Sequence, residues 1–232
     1  MEAPLIKLRN YIDYVILFAY EAIGMFVFEL GVCFSGGSHY VTVLNIFLAV
    51  MMVGKISGGY FNFGVASGVY VFEGKWKENL KGLMVVLAAE LVGGYLGFTF
   101  GYLVNGKVTM IKPADWNSSG FTVFFAEFLF TFLLMAGIFH CKHPRLLLSH
   151  DLVLAVIWCC IPIYFAVGLA GKVSGAALNP TVGLCNVTFT YWLSKEGDQT
   201  SISYLPGYFF GPLLAGPAGA LYTKYIAAPC AK

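Results

Sequence analysis

Charged residues are scarce in this chain, and that scarcity bounds its class. Only 11% of the 232 residues are Asp, Glu, Lys or Arg, whereas a soluble domain carries about a quarter. With 59% hydrophobic residues, too little charge remains to cover a water-exposed surface, so lipid must cover part of it. The formal net charge of +2 is too small to favour nucleic acid as a partner. The composition predicts a polytopic protein embedded in the lipid bilayer.

Motifs for metals, cofactors and catalysis are also missing. The six cysteines lack the paired spacings of zinc or haem sites, and Cys159 and Cys160 lie in an apolar run where cysteine acts as a small hydrophobe. The sequence shows no metal-ligand cluster, no nucleophile beside a base and no phosphate-binding loop. We therefore expect no cofactor, no metal and no catalytic residue, and a membrane enzyme is the least favoured interpretation.

Six apolar stretches are long enough to cross a bilayer, which takes about 20 residues per helix. Two further apolar segments are too short to span and are better interpreted as re-entrant half-helices. The predicted spans are residues 11–34, 40–57, 80–104, 120–140, 150–170 and 203–226, and the predicted half-helices are residues 62–72 and 179–193.

The basic residues indicate how these spans are oriented. With six spans both termini lie on one side of the membrane, and that side would hold ten of the fourteen lysines and arginines. By the positive-inside rule, we expect both termini on the cytoplasmic or matrix-like side, in an organelle that the sequence does not name.

One loop sequence occurs twice in this chain. The segment GKISGGYFNF (54–63) returns as GKVSGAALNP (171–180), 117 residues later, with five identities. Each copy is followed directly by a half-helix. Because three spans separate the copies, the second half is inverted relative to the first. The sequence thus predicts one domain over residues 1–232, with repeats at about 11–104 and 120–226 and a solute site where they meet.

The duplicated loops have a physical role near the membrane centre. Asn62 and Asn179 precede the half-helices as N-caps, and their amide NH₂ groups would stay free to donate to a solute. Pro180, at the first helical position, has no N–H to leave unsatisfied. Two half-helices with facing N-termini place two positive dipole ends together, which excludes cations while admitting neutral hydrogen-bonding solutes.

These features resemble the aquaporin family, the major intrinsic proteins, over nearly the whole chain. The loops correspond to the family's Asn-Pro-Ala loops, with Asn-Phe-Gly (62–64) in place of the first and Asn-Pro-Thr (179–181) as the second. Further similar motifs are AEFLFTF (126–132), AELVGG (89–94) and GPLLAG (211–216). The resemblance implies an all-α membrane protein: an aquaporin-like inverted repeat of six transmembrane helices and two re-entrant half-helices.

The resemblance also assigns site residues. Glu21 and Glu127 would brace the two loops by accepting backbone N–H bonds. The narrow filter would lie where the family carries an aromatic, a histidine, a small residue and an arginine in its water channels. In this chain those positions are Thr42, Val167, Ala176 and Val182, so the filter loses its arginine and becomes wider and more apolar. Such a filter passes larger neutral solutes or dewets and passes nothing. Phe63, in place of the first loop's proline, is a candidate pore plug.

Four other charged residues have no role that the sequence settles. Glu29 and Glu90 lie at membrane depth, where an ionisable group suggests function. Lys55 and Lys172 match in the repeat and either repel cations at the pore mouths or snorkel toward headgroups.

Two functions follow from these observations. In the first, the chain is a channel for passive transport of water or small neutral solutes, and the resemblance implies a homotetramer. In the second, it is a non-conducting aquaporin-fold subunit of a larger assembly with other membrane proteins.

Overall fold

A computed structural model describes residues 10–193 and 202–231, and it is helical with loop connections throughout these residues. The helices are α1 (Tyr11–Phe34), α2 (His39–Ser57), α3 (Phe63–Glu73), α4 (Trp76–Asn105), α5 (Gly120–Lys142), α6 (Leu152–Ala170), α7 (Pro180–Leu193), α8 (Leu205–Tyr222), a π-helical turn (Thr223–Ala227) and α9 (Ala228–Cys230).

The predicted all-α membrane fold is confirmed. Each predicted span and half-helix corresponds to one helix, with ends that differ by a few residues. The largest differences are four residues, at the start of α4, where the helix begins with a polar turn at Trp76, and at the end of α8, where a π-helical turn follows Tyr222. Five described helices are long and apolar enough to cross a membrane. The sixth span, α8, is lower in hydropathy because Pro212, Pro217 and several glycines interrupt its apolar residues.

Local chemistry fixes most helix ends. At α1, the Asn10 side chain accepts from the Asp13 N–H (3.0 Å) and Asp13 accepts from the Asn10 N–H (3.1 Å), which is a capping box. Asp151 caps α6 by accepting from the Leu154 N–H. Helices α2, α3 and α4 each stop at a glycine in the left-handed conformation, where a side chain would be strained.

Glycine stripes bring the long helices close together. Along α4, a Cβ added at Gly97 would lie 2.6 Å from Glu29 Cβ of α1, and one at Gly101 would lie 2.5 Å from Cys33 Sγ. Along α8, Gly211 and Gly219 leave similar room for α5. Small residues at four- and eight-residue spacing are the usual means of close helix contact in membranes. In lipid the hydrophobic effect does not drive helices together, so they associate through close packing.

The same packing pattern occurs twice. Helix α1 packs on α4 and α2, and α5 packs correspondingly on α8 and α6. The short helix α3 packs against α8, and α7 packs against both α4 and α8, so each half-helix contacts the half of the chain to which it does not belong. This exchange draws the two duplicated loops to the centre of the bundle.

Candidate functional site

The two duplicated loops have the same backbone conformation. Gly58, Gly59 and Phe61 have positive φ, and so do the three residues 117 positions later, Gly175, Ala176 and Leu178. Positive φ is uncommon for residues other than glycine. Phe61, Ala176 and Leu178 nevertheless adopt φ of 45°, 61° and 48°. Strain of this kind persists only where surrounding contacts impose it.

Two buried glutamates supply those contacts. Glu21 accepts the backbone N–H groups of residues 59, 60 and 61 at 3.0–3.2 Å. Glu127 accepts from the Ser174 hydroxyl (2.6 Å) and from the N–H groups of Ala177 (3.0 Å) and Leu178 (2.6 Å). Both glutamates are fully buried. Each carboxylate therefore holds one loop in its extended path.

The half-helices begin at the two asparagines and meet. Asn62 Oδ1 accepts from the Gly64 N–H (2.8 Å), and Asn179 Oδ1 accepts from the Thr181 N–H (3.0 Å). Pro180 opens α7, and a Cβ at Gly64 would lie 3.5 Å from Pro180 Cδ. The positive ends of both helix dipoles thus lie at the same place in the bundle.

The asparagine amides are not wholly free, contrary to our expectation. Asn62 Nδ2 donates to the Leu178 carbonyl (2.9 Å), and Asn179 Nδ2 donates to the Phe61 carbonyl (2.7 Å). Each amide therefore ties its own loop to the opposite one. An NH₂ group has two hydrogens, so one hydrogen per asparagine remains for another acceptor.

A cavity of about 1150 Å³ runs past these asparagines. Its wall includes His39 and Lys55 at opposite ends of α2, and Val153 and Gly168 near opposite ends of α6. At 1.5 Å per residue, the stretch of α2 alone spans roughly 24 Å, close to the ~30 Å hydrocarbon core of a bilayer. The cavity therefore follows the length of the membrane-spanning helices.

The four positions predicted for the filter all lie on this cavity. Thr42 donates its hydroxyl hydrogen to the Ser38 carbonyl (3.1 Å), so its hydrogen is not offered to the cavity. Val167 and Ala176 are partly exposed, and Val182 lies three residues after Asn179 in α7. No charged side chain occupies these four positions, and three of the four residues are apolar.

Phe63 does not plug the cavity, which corrects our expectation. Its side chain is 8% exposed and packs in an apolar cluster with Leu17, Tyr60 and Val86, and it is absent from the cavity wall. Phe63 is the first residue of α3, directly after Asn62, and its ring points into the protein core rather than into the cavity.

Within residues 10–193 and 202–231, every Lys, Arg, His, Asp or Glu side chain on the cavity wall belongs to a basic residue. His39, Lys112 and Lys172 lie at one end, which we call the Lys172 mouth. Lys55, Lys142 and His150 lie at the other end, which we call the Lys142 mouth. Lys55 and Lys172 thus occupy equivalent positions at opposite mouths. Among the described residues no aspartate or glutamate lines the cavity.

Two buried polar residues position the site without lining it. Asn186 of α7 accepts from the Ile111 N–H (2.7 Å) and donates to the Thr109 carbonyl (2.9 Å), which anchors the loop of the Lys172 mouth. Glu90 accepts from the Thr181 hydroxyl (2.7 Å) at the start of α7. Glu90 stands out in the sequence as a carboxyl at membrane depth, whereas no pattern in the sequence assigns a role to Asn186.

Glu29 remains separate from the site. It is fully buried against Gly97 of α4, and neither of its carboxyl oxygens has a hydrogen-bond partner within the described residues. Nothing in the structure explains this carboxyl.

Comparison with known proteins agrees with this geometry. The family model "Major intrinsic protein" matches residues 16–223. An aquaglyceroporin of Toxoplasma gondii (strain ATCC 50611 / Me49) is 27% identical over 173 residues, which is 73% of this chain and 60% of that protein. The chain thus spans less than two thirds of this relative's length.

Among solved structures, the aquaglyceroporin from Plasmodium falciparum superposes with a TM-score of 0.73 at 20% identity, covering 93% of this chain and 98% of that one. At this identity the likeness concerns the fold. The interpretation of the chain as a non-conducting assembly subunit gains no support from these comparisons. By its family match over residues 16–223, the chain is a multi-pass member of the major intrinsic protein family, a family of membrane channels for water and small solutes rather than of enzymes.

Proposed function

We propose that this chain conducts water and small neutral solutes up to the size of glycerol by passive diffusion. The observation that carries the proposal is the cavity itself, which runs along α2 and α6 and contains both capping asparagines. A path of membrane length from whose wall Phe63 is absent needs no conformational cycle to pass a solute.

The residues predicted for the filter favour the passage of solutes larger than water. Water-selective members of the family place an arginine three residues after the second asparagine, and this chain has Val182 there. A valine leaves more room than arginine and adds no fixed charge. The apolar wall suits the carbon face of a polyol, while the remaining asparagine N–H groups serve its hydroxyls. The names of the two aquaglyceroporins above are consistent with this solute class.

The surrounding architecture forms part of the proposal. The chain would be one domain of two inverted repeats, at about 11–104 and 120–226, with both termini on the cytoplasmic or matrix-like side. The exchanged packing of α3 and α7 supports the repeat. As in the family, the assembly would be a homotetramer in which each subunit has its own pore.

The test is glycerol flux into proteoliposomes that hold the purified protein, measured beside empty vesicles. We expect wild-type vesicles to re-swell faster than empty ones in a glycerol gradient. Val182→Arg should reduce glycerol flux at least tenfold, since a barrier increase of about 1.4 kcal/mol suffices for that change. Water flux, measured as osmotic shrinking, should fall less.

Val182→Leu is the matched control because it adds bulk without charge or hydrogen-bond donors, and it should retain most glycerol flux. If vesicles that hold folded, inserted protein shrink and swell at the same rate as empty vesicles, the channel proposal is refuted. Equal glycerol flux in wild type and Val182→Arg would place the filter elsewhere.

A further inference from the structure

Three cysteines lie on the cavity wall near the Lys142 mouth. Cys141 of α5 and Cys159 and Cys160 of α6 all line the cavity and are partly exposed there. The remaining thiols are placed differently, since Cys33 and Cys185 are buried and Cys230 is exposed near the end of the chain. Only the first three are therefore accessible from inside the channel among the described residues.

The α5–α6 contact brings two of these cysteines face to face. The helices are joined by the short connection 143–151 and pack side by side, so they run antiparallel. They approach closely at Gly137, where an added Cβ would lie 2.6 Å from Pro162 Cβ. Cys141 is four residues after Gly137 on α5, and Cys159 is three residues before Pro162 on α6. Those spacings keep each cysteine on the contacting face, one turn along from the glycine contact.

The side-chain contact agrees with this register. The Cys141 and Cys159 thiols lie within interaction distance of each other. Cys160 lies about 100° around α6 from Cys159, so it is turned away from the face that contacts Cys141. The pair is therefore a dithiol that joins two helices, and it faces the solute path.

We propose that Cys141 and Cys159 form a two-thiol binding site for soft, thiol-seeking ligands, and that a ligand held there obstructs the channel at the Lys142 mouth. Soft ligands prefer sulfur donors. Within the described residues no group of three metal-ligating side chains converges, so the site suits a ligand that needs two sulfurs. The binding step is independent of the proposed transport function, whereas the obstruction rests on it.

Phenylarsine oxide is the probe, because its trivalent arsenic takes two thiols. Two As–S bonds form, the bonds from arsenic to oxygen and both S–H bonds break, and the oxygen leaves with the two thiol protons as one water. No electrons are exchanged, so no oxidant or reductant is required. The phenyl group stays on arsenic and projects into the cavity.

Binding is measured first, on intact purified protein, by mass spectrometry at increasing probe concentration. Wild type should gain one phenylarsenic group per chain. Cys141→Ser and Cys159→Ser should each need roughly 100-fold more probe, because a second bond within one molecule raises affinity by about 10²–10⁴. Cys160→Ser, the adjacent thiol, should bind like wild type. Uptake that persists at low probe in Cys141→Ser, or that is lost in Cys160→Ser, would overturn the site.

Flux is measured second, on proteoliposomes with the same variants. The probe should suppress glycerol flux in wild type and Cys160→Ser, and 2,3-dimercaptopropanol should restore it while 2-mercaptoethanol does not. Bound probe with undiminished glycerol flux would refute the obstruction. Vesicles that never exceed empty ones would refute the transport proposal instead, and the mass result would still decide the dithiol site.

Discussion

At the scale of single residues, two buried carboxylates hold the backbone of the channel loops. Glu21 and Glu127 accept backbone N–H groups beside Phe61 and Leu178, which have positive φ. Ionised carboxylates only accept hydrogen bonds, whereas an amide also donates. Replacing either glutamate with glutamine would therefore place a side-chain amide N–H against a backbone N–H in a buried environment.

We expect Glu127→Gln to lower the free energy of unfolding by roughly 1–3 kcal/mol, the usual cost of leaving a buried polar group unsatisfied. The readout is the apparent melting temperature of the detergent-solubilised protein. Glu78→Gln is the matched control, because Glu78 is exposed in the first turn of α4 and should leave melting unchanged. Equal melting temperatures for Glu127→Gln and wild type would show that the Ser174 and Leu178 contacts do not hold the loop.

At the scale of elements, the position of the half-helix α3 depends on close contact with α8. Gly68 would place a Cβ 3.0 Å from the carbonyl carbon of Gly216, and a Cβ at Gly216 would overlap the Gly64 carbonyl. The backbones touch, so no side chain fits between them. Any added volume must push α3, and with it Asn62, away from α8.

Gly216→Ala should therefore destabilise the fold by roughly 1–3 kcal/mol, as overpacking does, and it should also lower glycerol flux by displacing Asn62. Melting temperature and proteoliposome flux provide the two readouts. Gly120→Ala is the control, since no atom lies within 4 Å of its added Cβ. A Gly216→Ala protein with wild-type melting and flux would mean that α3 shifts without consequence for the channel.

At the scale of the whole molecule, charge is arranged along the channel. Lysines lie at both mouths, and the positive ends of two helix dipoles meet between them. A cation would meet unfavourable potential at each stage, although the positions predicted for the filter include no arginine. This electrostatic potential would have little effect on neutral solutes.

Lys172→Glu should accordingly weaken discrimination against cations. Unit charges at 4 Å interact by about 1 kcal/mol in water, so a charge reversal near the path should raise methylammonium flux relative to urea flux by roughly tenfold. The effect should be larger at about 0.01 M salt than at 1 M, because screening shortens the range from about 30 to 3 Å.

Lys77→Glu is the matched control, since it makes the same charge change on an exposed residue outside the cavity wall. An equal change in both variants would attribute the effect to net charge rather than to the mouth. No change in either variant would show that the mouth lysines do not set charge selectivity.

The sequence by itself determined the class, the helices and the family. Composition required lipid, the lengths of the apolar runs predicted spans and half-helices within a few residues, and the repeated loop located Asn62 and Asn179. These features are local, since they depend on composition, length and motif along the chain. The four positions predicted for the filter came from the resemblance to the family, and all four lie on the cavity.

Only the tertiary structure decided which way side chains point. In lipid, a helix is apolar on both its inner and outer faces, so the hydrophobic pattern does not distinguish them. For this reason the sequence predicted Phe63 as a plug although it packs in the core. It likewise indicated Cys159 only as a small hydrophobe and gave no role to Cys141, although both line the cavity. The cross-links from Asn62 to Leu178 and from Asn179 to Phe61 likewise join residues more than 115 positions apart, and only the packing of the two halves brings them together.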